Sequence, residues 1–178
     1  MNKKSIILIA LLLNLGLFYS SYRLTLYLYP NVVFAVASAN IGLEKNVLVL
    51  TDLPNSDLRK VVKPNPDFLY VIAKYDLSEG PLRLTGTLPH SSYWSLALYQ
   101  PNTINFYVKN DQQFNQPELN LILRYDQDDI SPTATEASII SPTIKGMILF
   151  RILAIDPSTD NVNMLKKHQE SIRLTPAD

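Results

Sequence analysis

The hydrophobic pattern changes twice along this chain. From Ile6 to Phe18 the side chains are almost uniformly apolar, and no charge appears between Lys4 and Arg23. A stretch that is apolar all round suits a bilayer better than a soluble surface. The uncharged segment Ser5–Tyr22 has 18 residues, at the short limit for crossing hydrocarbon. Continuing the helix to Tyr29 gives 24 residues from Ile6, or ~36 Å at about 1.5 Å per residue. Arg23 then lies near the far headgroups, where it can snorkel outward. Tyr19, Tyr22, Tyr27 and Tyr29 suit an interfacial aromatic belt. Pro30 is expected to break or kink the helix, which makes residues 1–30 the anchor. Residues 31–45 follow as a juxtamembrane segment. There Val32, Val36, Ala39 and Leu43 share one helical face, expected to pack on the next domain.

Beyond Leu43 the period falls to two. Strands are expected at Asn46–Thr51, Asp67–Tyr75, Leu82–Leu88, Tyr93–Tyr99, Thr103–Lys109, Leu119–Tyr125, Ala134–Ile140 and Gly146–Ile155. Asp67–Tyr75 is apolar on both faces and reads as central. Leu82, Leu84, Gly86 and Leu88 alternate with Arg83, Thr85 and Thr87, the mark of a half-buried antiparallel strand. Trp94, Leu96 and Leu98 share one face, as do Ile104, Phe106 and Val108. The twelve prolines fall mostly between these strands. The pattern returns to helical at Asp160–Ser171, with Val162, Leu165 and Gln169 in register and Asp156 or Ser158 as cap. The expected class is mainly β: residues 46–178 form an antiparallel β-sandwich or jelly-roll-like domain with a short C-terminal helix.

Charge decides orientation and excludes some partners. Lys3, Lys4 and Arg23 are the only charges before Glu44, and the remaining 13 basic residues face 16 acidic ones. The Lys-Lys start should stay cytoplasmic, which puts the N-terminus inside and the β domain in the periplasm of a bacterial inner membrane. Arg23 argues weakly the other way. A cleaved signal peptide is the competing reading. Its small-residue sites, Ala35-Val36-Ala37 and Ala37-Ser38-Ala39, lie far beyond the apolar core, so an uncleaved anchor is favoured. The mildly acidic remainder offers no face for nucleic acid. The chain has no cysteine, which excludes disulfides, thiolate metal sites and a Cys nucleophile.

Candidate chemistry is sparse. His90 and His168 stand alone and make no metal motif. Pro64-Asn65-Pro66-Asp67 is the sharpest local feature. Its prolines fix the backbone, and Asn65 and Asp67 either bond neighbouring amides or line a polar pocket with Tyr70. Asp76 and Glu79 sit in a hairpin-turn sequence, where acids are usually solvated rather than a catalytic pair. Asp126, Asp128 and Asp129 form an acidic loop without an EF-hand pattern. Tyr93, Trp94, Tyr99 and Tyr107 lie on neighbouring strands, where aromatics with a polar tip either bind or pair across strands. The candidate binding set is therefore Asn65, Asp67, Tyr70, His90, Tyr93, Trp94 and Tyr99, with no catalytic residue, metal or cofactor assigned.

Three runs carry a family likeness: Lys63-Pro64-Asn65-Pro66-Asp67-Phe68-Leu69-Tyr70, Tyr75-Asp76-Leu77-Ser78-Glu79-Gly80-Pro81 and Tyr93-Trp94-Ser95-Leu96. Ser141-Pro142-Thr143 with Arg151 adds to it. With these, residues 59–176 resemble a bacterial family known as domain of unknown function 1254. The resemblance implies a β-rich sandwich or jelly-roll domain. It also implies a companion, domain of unknown function 1214, which larger members carry in the same chain. The sequence ends at Asp178 without room for it, so the resemblance implies a separate protein that carries it. The resulting expectation is a non-catalytic binding or assembly module, held in the bilayer through residues 6–29 and pairing with such a protein or a small ligand. The rival is a hydrolase-like or modifying enzyme acting on envelope or xenobiotic compounds, its site shared with that partner. A purely structural membrane-assembly role is the third reading.

Overall fold

A computed structural model describes residues 2–53, 65–114, 116–125, 137–156 and 158–177. The acidic loop Asp126–Asp129 and the Lys63-Pro64 pair fall outside them. The first helix, α1, spans Lys3–Ile41 without a break and closes on Gly42 in the left-handed conformation. At 39 residues it is about 58 Å long, and it is long and apolar enough to cross a membrane. Its side chains from Ile6 to Tyr29 are exposed on every side. Polar side chains in this stretch return their hydrogens to the helix itself. Asn14 donates to the Ala10 carbonyl, Ser21 to Phe18 and Thr25 to Ser21 at 2.8–2.9 Å. That satisfies them without water.

Pro30 does not end the helix, contrary to the sequence expectation. Proline removes the donor that would serve the Leu26 carbonyl. Asn31 Nδ2 donates to the neighbouring Tyr27 carbonyl at 3.2 Å, so that side chain too is satisfied by the helix itself. The packed face also differs. Phe34 and Ser38 are buried, while Val32 and Val36 are more than half exposed. Of the expected face, Leu43 alone is buried, and it lies past the helix end.

Two sheets follow. Sheet A has the order β1-β2-β8-β4-β5, where β1 is Leu48–Thr51, β2 Phe68–Asp76, β4 Trp94–Tyr99, β5 Asn105–Asn110 and β8 Lys145–Leu153. Sheet B has the order β7-β6-β3-β9, with β3 Leu82–Thr87, β6 Glu118–Tyr125, β7 Ala137–Ser141 and β9 Arg173–Pro176. A 3-10 turn at Asp111–Gln113 precedes β6. β2 is an interior strand, between β1 and the central β8, and is covered on both faces: Leu69, Val71, Ala73 and Tyr75 enter the core, and outward-facing Ile72 is also buried. The core joins these to Trp94, Leu96, Leu98, Ile148, Phe150 and Ile152 of sheet A and to the leucines of β3 and β6. Each fully buried large apolar side chain contributes about 1.5–3 kcal/mol relative to exposure.

Three features depart from an all-antiparallel reading of eight strands. β7 runs parallel to β6. β9 was not foreseen; it closes on β3, and the Ala177 N–H donates to the Pro81 carbonyl at 3.0 Å. In β5 the faces are reversed. Leu98 opposes Tyr107 and Leu96 opposes Lys109, with an irregularity at Leu98/Tyr99. Val108, opposite Ala97, points away from the core, while past the irregularity Phe106 packs against it; Val108 and Ile104, which precedes the strand, are 52% and 55% exposed.

The C-terminal helix α2, Thr159–Ser171, fastens one end of the domain. Its N-cap is Ser158, whose N–H and hydroxyl both donate to the Asp156 carboxylate. Leu165 enters the core, and Gln169 Nε2 donates to the carbonyls of Thr51 and Tyr70 at 2.8 and 2.9 Å. His168 Nδ1 meets the Thr87 hydroxyl at 3.1 Å on the other sheet.

Candidate functional site

One end of the outward face of sheet A carries Tyr70 and Tyr93 of the candidate residues. Alternation puts Phe68, Tyr70, Ser95 and Arg151 on it, since Tyr70 and Ser95 both oppose Arg151 across β2-β8-β4. Arg151 donates from Nε to the buried Ser95 hydroxyl at 3.0 Å and stacks its guanidinium 5.5 Å from the Phe68 ring centre. Phe68 in turn meets Tyr70 at 6.1 Å and Tyr93 edge-on at 6.4 Å. The cluster is a shallow aromatic surface around one held cation. Tyr93 is 36% exposed, and Phe68, Tyr70 and Arg151 are half-buried.

Asn65 and Asp67 serve the backbone of this corner. Asn65 Oδ1 accepts the Asp67 N–H at 3.0 Å, and the Asn65 N–H donates to the Tyr70 phenol at 3.1 Å. The Asp67 carbonyl accepts the Ala154 N–H at 2.7 Å. This is an Asx turn that fixes the start of β2.

The other three candidates lie elsewhere. Trp94 is 2% exposed on the inner face, between Phe114 at 5.8 Å and Phe150 at 5.7 Å. Tyr99 lies at the far end of the outward face. With Phe34, Thr103, Met147 and Leu149 it lines an apolar hollow of about 220 Å³ beneath α1. His90 is exposed in the bend after β3.

The Tyr75–Pro81 run is not the hairpin turn its sequence suggests: it carries the chain from β2 in sheet A across to β3 in sheet B, strands that do not pair. The Asp76 carboxylate accepts the Ser78 N–H at 3.0 Å and pairs with Lys145 at 3.1 Å, while Asn46 and Asp76 exchange two hydrogen bonds at 2.7 and 3.0 Å. Burial works to raise its pKa, but the Ser78 and Lys145 hydrogen bonds outweigh burial and hold it at about 2. The carboxylate is covered by its neighbours yet lies close beneath the surface, so solvent screens the pair. Glu79 pairs separately with Lys45, so the two acids do not act together. Burial also pushes the Tyr75 phenol up, partly offset by its 2.9 Å bond to Ser141. Ser141 donates onward to the Thr143 carbonyl at 2.6 Å, which gives the Ser141-Pro142-Thr143 motif a structural purpose. Gly146 makes room for this network: a Cβ there would fall 2.3 Å from the Tyr75 oxygen and 2.1 Å from the Tyr99 carbonyl. Among the described residues no group of three His, Cys, Asp or Glu side chains could hold a metal.

A family model described as "Protein of unknown function (DUF1254)" matches residues 45–176. The chain belongs to the DUF1254 family. The match begins just past α1, so the family domain is the two-sheet body together with α2 and β9. No curated protein matches the sequence. Among solved structures, this DUF1254 chain is similar to the VPA0106 protein from Vibrio parahaemolyticus (TM-score 0.56, 10% identity), over 64% of this chain and 28% of that one. It is also similar to an uncharacterised protein from Burkholderia cenocepacia (TM-score 0.50, 16% identity), over 70% of this chain and 36% of that one. At such identities the likeness is one of fold. The DUF1254 chain thus spans little more than a third of either structure at most.

Arg151 is the site residue that reasoning on side-chain chemistry passed over. Its signal was present: it is the one charge between Gly146 and Ala154, in an otherwise apolar strand.

Proposed function

We propose that this chain is a membrane-anchored binding module of the bacterial envelope, with α1 in the inner membrane and the two-sheet domain in the periplasm. It pairs with a protein carrying a 1214-type domain. The observation that carries the pairing is the Phe68–Tyr70–Tyr93–Arg151 surface. Tyr, Phe and Arg are the side chains most enriched at the centres of protein interfaces. Here the arginine is already oriented by Ser95 and Phe68, so little conformational entropy is lost on binding. The same fold occupying about a third of longer solved chains supports a domain that works against further protein surface. The Asn65 side chain is engaged by the Asp67 N–H of its own turn, which supports a partner over a small-molecule substrate.

The test is co-expression of the full chain with a 1214-type domain protein, followed by co-purification in mild detergent. A stable complex that is lost in Tyr93→Ala and Arg151→Ala, with the fold intact by circular dichroism, is expected. Recovery of this protein alone, or a complex indifferent to both changes, overturns the reading. Protease added to spheroplasts checks the placement: the two-sheet domain should be cut from outside, and protection would reverse the topology.

A further inference from the structure

We propose that the β4–β5 hairpin is a second membrane contact, resting on the same bilayer that holds α1, with Ile104 and Val108 seated at the boundary between headgroups and acyl chains. The proposal rests on α1 being a membrane span.

The helix itself supplies the geometry. Followed back from its C-terminal end, the chain meets the strands of sheet A in order. Lys45 bridges Lys74 of β2. Phe34 shares a hollow with Met147 and Leu149 of β8 and with Tyr99 of β4. Leu26, Tyr27, Pro30 and Asn31 then share one with Pro101, Asn102 and Ile104 in the β4–β5 turn. The helix therefore crosses the sheet toward β5, the edge strand. A hydrocarbon core of ~30 Å takes up about 20 helical residues. Counted from Ser5, that ends near Leu24. Leu26–Asn31 consequently lie at headgroup depth, and so does the β4–β5 turn beside them.

Composition agrees with this position. From Tyr99 to Asn110 the only charge is Lys109, and no acid opposes an anionic lipid surface. An edge strand facing water is normally protected by charge, proline or a bulge turned outward. β5 has such protection in Lys109 and in its irregular register beside Leu98/Tyr99, yet Val108 on it and Ile104 just before it are each more than half exposed. At the bilayer surface this arrangement buries apolar area, as an interfacial helix does.

The chain has no cysteine, so single-cysteine variants of the full protein can carry one environment-sensitive fluorophore each. Ile104→Cys, Val108→Cys, Leu15→Cys and Thr175→Cys are labelled in detergent. They are then reconstituted into phosphatidylcholine–phosphatidylglycerol vesicles, with and without bromine on the upper acyl carbons. All four positions are exposed, and unchanged circular dichroism and thermal unfolding confirm the fold. Ile104, Val108 and Leu15 probes should shift to the blue and lose most of their emission to brominated lipid, while Thr175, on the outward face of sheet B, should not respond. If Leu15 is quenched but Ile104 and Val108 behave like Thr175, the hairpin contact fails and the anchor stands. If Leu15 is also unquenched, the anchor reading fails and takes this proposal with it.

Discussion

The outward face of sheet A has two ends built from the same strands and finished differently. At one end Tyr99, Met147 and Leu149 lie beneath Phe34 of α1, around a hollow lined almost wholly by apolar atoms. At the other, Phe68, Tyr70 and Tyr93 surround Arg151, whose charge is held by a buried serine and an aromatic ring. The two ends are only two to six residues apart along β4 and β8. Alternation assigns a residue to a face but does not say what covers that face. At the first end the chain covers it with its own helix. At the second it leaves rings and a cation half open to water, the arrangement that suits another protein.

Four substitutions separate these ends, beginning with the largest effect. Gly146→Ala strikes the helix-covered end, where the new methyl meets a backbone carbonyl that has no easy way to move. A loss of about 3 kcal/mol or more is expected, read as a fall in thermal midpoint of the detergent-solubilised protein. A midpoint close to the parent would mean that β8 and the Tyr75 ring pack less tightly than described. Phe34→Ala should cost about 2 kcal/mol, less than a deep core phenylalanine because the hollow beside it already limits its contacts. Amide exchange should accelerate in the last turns of α1 while the Tyr93 end keeps its protection. If both ends accelerate alike, they are not independent.

The third test uses acid. The Asp76 pKa of about 2 lies below its unfolded value. The stability it contributes is therefore complete above about pH 4 and is lost as pH falls from there through 2. With the pair screened near the surface, about 1–2 kcal/mol is at stake. Asp76→Asn should flatten that part of the stability–pH curve, and equal acid sensitivity in parent and variant would remove Asp76 as its source. Arg151→Met is the mildest. It gives up one ring contact and one hydrogen bond, about 1 kcal/mol, measured by urea unfolding. A much larger loss would make Arg151 a folding residue and weaken its assignment to binding.

The sequence displayed some of this clearly and hid the rest for physical reasons. β3 and β4 were legible because their two faces differ, in polarity for β3 (Leu82 and Leu84 against Arg83 and Thr85) and in size for β4 (Trp94, Leu96 and Leu98 against Ser95 and Ala97). β5 was not, because Phe106 and Tyr107 are both large and aromatic, so alternation gave no preferred face and the register with β4 decided it. β9 is four residues long and follows α2 directly, too short for any period to show. Pro30 misled because the rule for proline is weakest in an apolar helix whose polar side chains bond their own backbone. Of the site, the Asn65–Tyr70 corner was visible as a turn. Tyr93 and Trp94, neighbours in sequence, could have been assigned to opposite faces by period two alone. That Tyr99 lies under a helix is a tertiary fact that no local pattern contains.

The place of β8 in sheet A has a kinetic meaning. It pairs with β2 on one side and β4 on the other, yet it is among the last strands to be made. Until residue 153 has emerged, the N-terminal strands of this sheet have no centre to join, and β2 and β4 present open edges. Pairing strands so distant in sequence is slow, because the loops between them must close first. For a chain held in a bilayer by α1, as proposed above, this sets a waiting period. About 110 residues, from the end of α1 to the end of β8, are then translated before β2 and β4 can be joined. During that interval the protein is most exposed to aggregation and most in need of a chaperone.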